Sequence, residues 1–282
     1  MTPPEPKLVP PGSPWWHALQ FTDPAHRPGV NALVALRGEL LDAALAQRDP
    51  AIARMRLAWW REETARIAQD QARHPVGLAL TALSAGARPE AEYLEEMIEG
   101  AEMDLDGAQP ADDGQLMLYL HRSSGVLHDL IAQVCGVADP AAERAVRRYA
   151  QRLGQGLRLA EIGRDLFTDA RSGRCYLPQA WLDTHDVRSR DLEAGTRTDG
   201  IVALTRATTR RAGELIAEAT GHLPAQERPR QRTGLVLLAL YRPLMAQLER
   251  TGAPVSEPPA SRGLASLFRA WNAARRAQGK RL

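Results

Sequence analysis

Residues 159–178 read LAEIGRDLFTDARSGRCYLP, and the rest of the chain is best read outward from them. Glu161, Asp165 and Asp169 recur every four residues. At 3.6 residues per turn each step drifts by only about 40° and climbs about 6 Å, so the three carboxylates form one row on one helix face. Such a row can hold Mg2+, which commonly takes one or two carboxylates and completes its octahedron with substrate phosphates. Arg158, Arg164, Arg171 and Arg174 lie close by and can bind phosphate oxygens bidentately. The same spacing also admits an ordinary amphipathic helix, in which Glu161 pairs with Arg164, and Asp165 with Arg158 or Arg171. After the row comes Gly173-Arg174-Cys175-Tyr176-Leu177-Pro178, a helix-ending turn that carries an arginine and a tyrosine.

Outside this stretch, from Trp15 to about Arg250, apolar residues recur at three and four, as in Leu33, Leu36, Leu40, Leu41 and Leu45. Strand-like alternation is almost absent, so the body reads as all-α. Turn and cap signals at Asp49-Pro50, His74-Pro75, Ala85-Gly86, 107–110, Asp139-Pro140, 173–178, 195–200 and 221–224 divide it. Helices of about 11 to 20 residues would then number roughly eight to ten. Six prolines within residues 1–14 predict a loose, extended arm; residues 15–250 form the helical domain, and 251–282 a Pro-rich linker and basic tail.

With 282 residues, 44% hydrophobic, the chain can bury a sizeable core. Its net charge of +2 lacks the basic excess of a nucleic-acid binder, and no nucleic-acid partner is expected. Cys135 and Cys175 are too few for a disulfide framework and read as buried thiols in a reducing compartment. No leader pattern, spanning apolar run or Gly-rich dinucleotide fingerprint is found, which predicts a cytoplasmic protein.

Two local charge biases stand out. Between Pro89 and Asp113 ten acids, including Glu95, Glu96, Glu99, Glu102, Asp104 and Asp106, occur without a Lys or Arg, and a solvated helix face is the plain reading. From Arg262 onward the tail has basic residues and no acid, with Leu264, Leu267, Phe268 and Trp271 at helical spacing. Such a helix either lies on an anionic membrane surface, on the inner face, or docks on its own domain or a partner.

The stretch 159–178 also resembles the squalene/phytoene synthase family, whose second aspartate-rich motif runs approximately Q-x-x-N-x-x-R-D-x-x-x-D and is followed by G-R-x-Y-x-P. Arg164-Asp165, Asp169, Gly173, Arg174, Tyr176 and Pro178 match. Residues 56–63 (RLAWWREE) resemble the family's R-L-x-W-W stretch, His74-Pro75-Val76 its H-P-V, Met103-Asp104-Leu105 its M-x-x-D-L region, and 119–125 its Y-C-x-x-x-A-G helix. The resemblance implies an isoprenoid-synthase-type helical bundle around a central apolar cavity. It also implies Mg2+ held by Asp165, Asp169, Glu161 and, opposite, Asp42, with a prenyl diphosphate or other isoprenoid ligand bound by Arg164, Arg174 and Arg56. Tyr119, Arg174 and Tyr176 are then the catalytic candidates.

Departures from the pattern bear on activity. Where the family has its first aspartate-rich motif, residues 32–45 retain Asp42 alone, with Leu41 and Leu45 at positions expected to be carboxylates. The family's Gln is Arg158 and its Asn is Glu161, while Arg122, Ser123 and Ser124 alter the Y-C-x-x-x-A-G helix. Arg122 either faces the channel, where it meets a phosphate or an acid, or lies at the surface. The resemblance therefore implies a divergent member, weakly active or non-catalytic, that retains a diphosphate site; a similar loss in a family branch that serves respiratory complex I assembly extends the expectation to a protein partner. The alternative is an active head-to-head prenyl-diphosphate transferase that recruits Glu39 or Asp104.

Overall fold

The computed structural model describes residues 9–47, 49–254 and 263–279. Most of the Pro-rich arm, most of the Pro-rich linker, and Arg262, Lys280 and Arg281 of the tail lie outside the described residues. The helices follow one another as α1 (Pro14–Phe21), α2 (Arg27–Leu45), α3 (Pro50–Ala68), α4 (Pro75–Thr81), α5 (Ala91–Asp106), α6 (Asp113–Leu120), α7 (Val126–Cys135), α8 (Glu143–Arg171), α9 (Gln179–Thr184), α10 (Ser189–Ala194), α11 (Asp199–His222), α12 (Arg232–Thr251) and α13 (Leu264–Ala277), with no strand among the described residues. Their number exceeds the expected eight to ten because α4, α6, α9 and α10 are only 7, 8, 6 and 6 residues long. None of the helices is long and apolar enough to cross a membrane.

Local chemistry sets the boundaries. Ser13, Asp49 and His74 accept the backbone N–H of Trp16, Ala51 and Val76, each just ahead of a helix that opens on proline. A proline there gives up a donor that would have had no helical partner. Gly107, Gly195 and Gly252 close α5, α10 and α12 in the left-handed conformation.

The 29-residue α8 is the axis of the bundle, packed by α6, α7, α10, α11 and α12. Two apolar clusters are built on it, one from its first half with α11, α12 and α13 and one from its second half with α6 and α11, while a third, from α2 to α5 and α7, adjoins it through α7. Between α6 and α7 the helix widens into a π-helical turn, His121–Gly125, wedged between α5 and α8. Two glycines admit it. A Cβ at Gly100 would lie 2.8 Å from the carbonyl carbon of Arg122, and one at Gly154 only 2.5 Å from the carbonyl oxygen of Ser124. Backbone cannot yield as a side chain does, so Gly154→Ala is expected to cost about 1–3 kcal/mol in urea unfolding. An unchanged midpoint would show that the turn is not pinned to α8.

Two of the sequence fragments that carry the resemblance touch each other. Trp60 is 3% exposed and meets His74 edge-on at 4.8 Å, while the fully buried Glu63 accepts the backbone N–H groups of Arg73 and His74, both at 2.7 Å, and Nε of Arg66 at 2.8 Å. Burial opposes the charge of Glu63, but these donors outweigh it and hold its carboxyl below the usual range. Trp59 stays 40% exposed under the Arg66 guanidinium. These residues build the α3–α4 corner rather than a reaction site.

The acidic run of α5 is partly exposed yet extensively paired. Arg61 of α3 bridges Glu95 and Glu102 at 2.5 and 2.6 Å, Arg54 reaches Asp106 at 3.1 Å, and Arg122 of the π-helical turn holds Glu96 at 2.8 Å and also Glu99. Arg122 is thereby drawn to the acids of α5. Asp104, on the same helix, turns inward.

Candidate functional site

The acidic row of α8 faces the interior. Arg158, one turn ahead of it, sits at the centre of a polar network. Asp104, 3% exposed, accepts hydroxyl hydrogen bonds from Tyr119 at 2.8 Å and Tyr176 at 2.7 Å. The two tyrosine rings stack 4.9 Å apart, and the Arg158 guanidinium lies 5.5 and 5.1 Å from their centroids while it donates to the Tyr119 hydroxyl at 2.5 Å. Burial pushes both phenols well above their ordinary range, so they remain protonated donors. Burial works against the charge on Arg158, but the Tyr119 oxygen, Asp104 and Glu161 outweigh it and keep the guanidinium cationic.

Glu161 is already engaged. It accepts a hydrogen bond from the Tyr241 hydroxyl and lies 3.4 Å from Arg158 and 3.9 Å from Arg37. Burial opposes its ionisation, yet Arg37, Arg158 and Arg164 hold its carboxyl below the usual range. Asp165 is gripped by its neighbour Arg164 through bonds of 2.7 and 2.5 Å. The carboxylate of Asp169, by contrast, accepts no hydrogen bond and forms no ion pair among the described residues. Burial, aided by Asp165 and Asp104, pushes its carboxyl up to about 6 against the pull of Arg158 and Arg174.

Arg174 reaches this position through the turn foreseen at Gly173. Gly173 adopts φ 72°, its N–H bonds to the carbonyl of Ala170, and the N–H of Arg174 bonds back to the carbonyl of Asp169 at 2.9 Å. This Schellman arrangement needs a residue that tolerates the left-handed region. It sets Arg174 beside the end of the acidic row and lets Tyr176 return to Asp104. Nε of both Arg158 and Arg174 is buried without a partner, which leaves two guanidinium donors unspent.

The remaining sequence candidates pair with each other: Arg56 of α3 holds Asp42 of α2 at 3.2 Å. Among the described residues no three His, Cys, Asp or Glu side chains come together as a metal cage, because arginines interleave the carboxylates. Mg2+ requires only one or two carboxylates when phosphates complete its shell; Asp169 is the member of the row with no side-chain partner among the described residues, while Arg164 holds Asp165, and Tyr241, Arg158 and Arg37 surround Glu161. Neither cysteine offers a nucleophile, since burial pushes the thiol of Cys135 up to about 11 and that of Cys175 also upward.

Further along α8 a small gap lies among polar side chains. The space bordered by Trp15, Arg37, Ser124, His128, Leu157, Glu161 and Tyr241 is about 10 Å3, close to the smallest that holds one water. Arg37, His128 and Tyr241 were not singled out from the sequence; they come from three separate helices and carry no local motif. From the sequence Asp104 was a motif position and a carboxylate that could be recruited, and Arg158 a nearby cation in place of the family's Gln; their meeting was not visible.

Residues 16–269 match the model of the squalene/phytoene synthase family. The chain belongs to that family. It is 36% identical to a 15-cis-phytoene synthase of Paracoccus over 133 residues, 45% of this chain and 39% of that enzyme. To phytoene synthase of Mycobacterium tuberculosis it is 26% identical over 244 residues, 86% of this chain and 79% of the relative. The fold is shared with a dehydrosqualene synthase crystallised with a ligand (TM-score 0.80, 18% identity, 94% of this chain and 90% of that one) and with squalene synthase HpnC from Alicyclobacillus acidocaldarius (TM-score 0.71, 22% identity, 84% and 89%). Within this squalene/phytoene synthase framework, the departures at Arg158 and Glu161 are the two residues that lock together in the core.

Proposed function

We propose that the protein binds a diphosphate-bearing isoprenoid at the C-terminal end of α8 and performs head-to-head coupling weakly or not at all. Arg158 carries this reading. Its fixed charge lies against Tyr119 and Tyr176, the catalytic candidates, where coupling would develop carbocations, and a cation nearby raises the energy of such a state. Arg174 and Arg164 would grip the phosphate oxygens, with Mg2+ held by Asp165 and Asp169; the ion supplies neutralisation of the diphosphate charge. Tyr119 and Tyr176, kept protonated, donate to Asp104 and hold the chamber wall in place. Arg56 and Asp42 brace α2 against α3. A protein partner, as in an assembly role, and peripheral contact with an anionic membrane through α13 belong to the same proposal.

The convergence of Asp104, Tyr119 and Tyr176 on one another favours a second reading, an active transferase that makes a squalene- or phytoene-type product. Incubation with farnesyl or geranylgeranyl diphosphate and Mg2+ separates the two. The expected result is diphosphate release absent or only slightly above the rate without protein, together with Mg2+-dependent binding of a non-hydrolysable diphosphate analogue that Asp165→Ala weakens by roughly tenfold or more. Turnover abolished by Asp165→Ala would establish the transferase instead, and absence of both turnover and binding would overturn both readings.

A further inference from the structure

The last helix is packed the wrong way round for a helix that serves only its own domain. α13 buries Ser266, Ala270, Ala274 and Ala277 against the body of the protein, chiefly α12, while Leu264 is 85%, Phe268 58% and Leu267 40% exposed. Trp271 continues this outer stripe, with Phe268 stacked on one side and the Arg275 guanidinium 4.8 Å from its ring. Small residues thus face the core and large apolar ones face outward. At about 100° per residue a third sector, roughly a third of a turn from the buried one, carries Arg269, Asn272, Ala273 and Arg276.

That third sector forms one wall of a groove of about 400 Å3, whose other wall carries Arg228 and Arg242 over a floor that includes Leu235, Leu238 and Pro243. None of the four guanidinium groups forms an ion pair or hydrogen bond among the described residues, although carboxylates satisfy arginines across much of the rest of the surface. From Gly263 to the end of the sequence there is no acid at all. Four guanidinium groups lining one groove without a counter-charge, three of them exposed, favour an anion rich in oxygens, and guanidinium planes suit phosphate in particular. An exposed apolar stripe on the same helix requires something to cover it. An anionic bilayer meets both needs with one occupant: headgroup phosphates in the groove and acyl chains against the stripe.

We infer that the groove between α12 and α13 is a headgroup-phosphate site, and that it docks the protein on an anionic membrane with Leu264, Leu267 and Phe268 inserted. The inference deepens the membrane contact proposed above and is independent of the diphosphate site on α8. The full-length protein is sedimented with vesicles of phosphatidylcholine alone, or with 30% phosphatidylglycerol in roughly that proportion. Binding to the anionic vesicles only is expected. Arg242→Gln with Arg276→Gln should weaken it by about 25-fold, at roughly fivefold per charge, and Leu267→Ser with Phe268→Ser should weaken it independently. Inorganic phosphate at millimolar concentration should not release the bound protein. Release by phosphate would identify a soluble phosphate ligand and overturn the membrane assignment. Anionic-vesicle binding that survives the arginine pair but not the apolar pair would overturn the groove and leave the membrane contact standing, while no vesicle binding at all would overturn both. Circular dichroism and diphosphate-analogue binding, unchanged in the variants, would show that fold and α8 site are intact.

Discussion

Arg158→Met is expected to lower the free energy of unfolding by about 3–5 kcal/mol, the range for breaking a buried ionic network by removing one partner. Methionine matches the length of the stem but removes the positive charge near Asp104, whose two hydroxyl donors remain, strips the Tyr119 hydroxyl of its donor and deprives Glu161 of its 3.4 Å neighbour. It also removes the cation stacked on Tyr119 and Tyr176. Glu161 keeps Arg37 and the Tyr241 hydroxyl, so the deficit should be concentrated at Asp104. Adding Asp104→Asn to Arg158→Met should therefore cost less than it does in the unaltered protein, and the coupling in that double-mutant cycle should exceed about 1 kcal/mol. Additive effects, or a loss below about 1 kcal/mol for Arg158→Met, would show that Arg158 is not the hub of the core. The experiment also bears on function, because the same charge underlies the reading that coupling is weak or lost.

The legible parts of this molecule were those whose chemistry is local. Pro50 and Pro75 with their capping residues, Gly173 with its left-handed turn, and the four-residue spacing of Glu161, Asp165 and Asp169 each depend on a few neighbouring residues, and each is present in the fold. What could not be read is which partner each charge meets. Glu161 is equivalent to Asp165 by spacing, yet Arg37 and Tyr241, far away in sequence, commit it to the core. The acids of α5 gave the pattern of a solvated face because Arg54, Arg61 and Arg122, which pair with them, lie on other elements. In α13 the stripe of Leu264, Leu267 and Phe268 was visible, but not that the alanines beside it would do the packing.

Acid should reveal a consequence of the burial of His128. His128 of α7 is 6% exposed, and its Nδ1 lies 2.9 Å from the carbonyl oxygen of Ser124. A carbonyl can only accept, so Nδ1 carries the proton, and Nε2 is buried with no partner. The groups around it are Trp15 of α1, Arg37 of α2, Glu161 of α8 and Tyr241 of α12. Burial pushes the imidazole down to about 4; the hydrogen bond to Ser124 raises it, Arg37 lowers it and Glu161 raises it, without offsetting the desolvation. In the unfolded chain a histidine takes up its proton near pH 6.5. Between these two values the unfolded state binds a proton that the native state refuses, so stability is complete above about pH 6.5 and falls as the pH drops toward 4. At pH 4.5 the loss from this one group is about 2.5 kcal/mol relative to pH 7. Since the carboxylates titrate in the same range, the measurement is a comparison: urea unfolding at pH 7 and pH 4.5 for the protein and for His128→Gln, which has no proton to gain. The variant should begin less stable at pH 7 yet lose about 2.5 kcal/mol less on acidification. Parallel losses would mean that His128 can be protonated in place, which requires Nε2 to reach water or a carboxylate. In that case the space beside Glu161 admits water to Nε2.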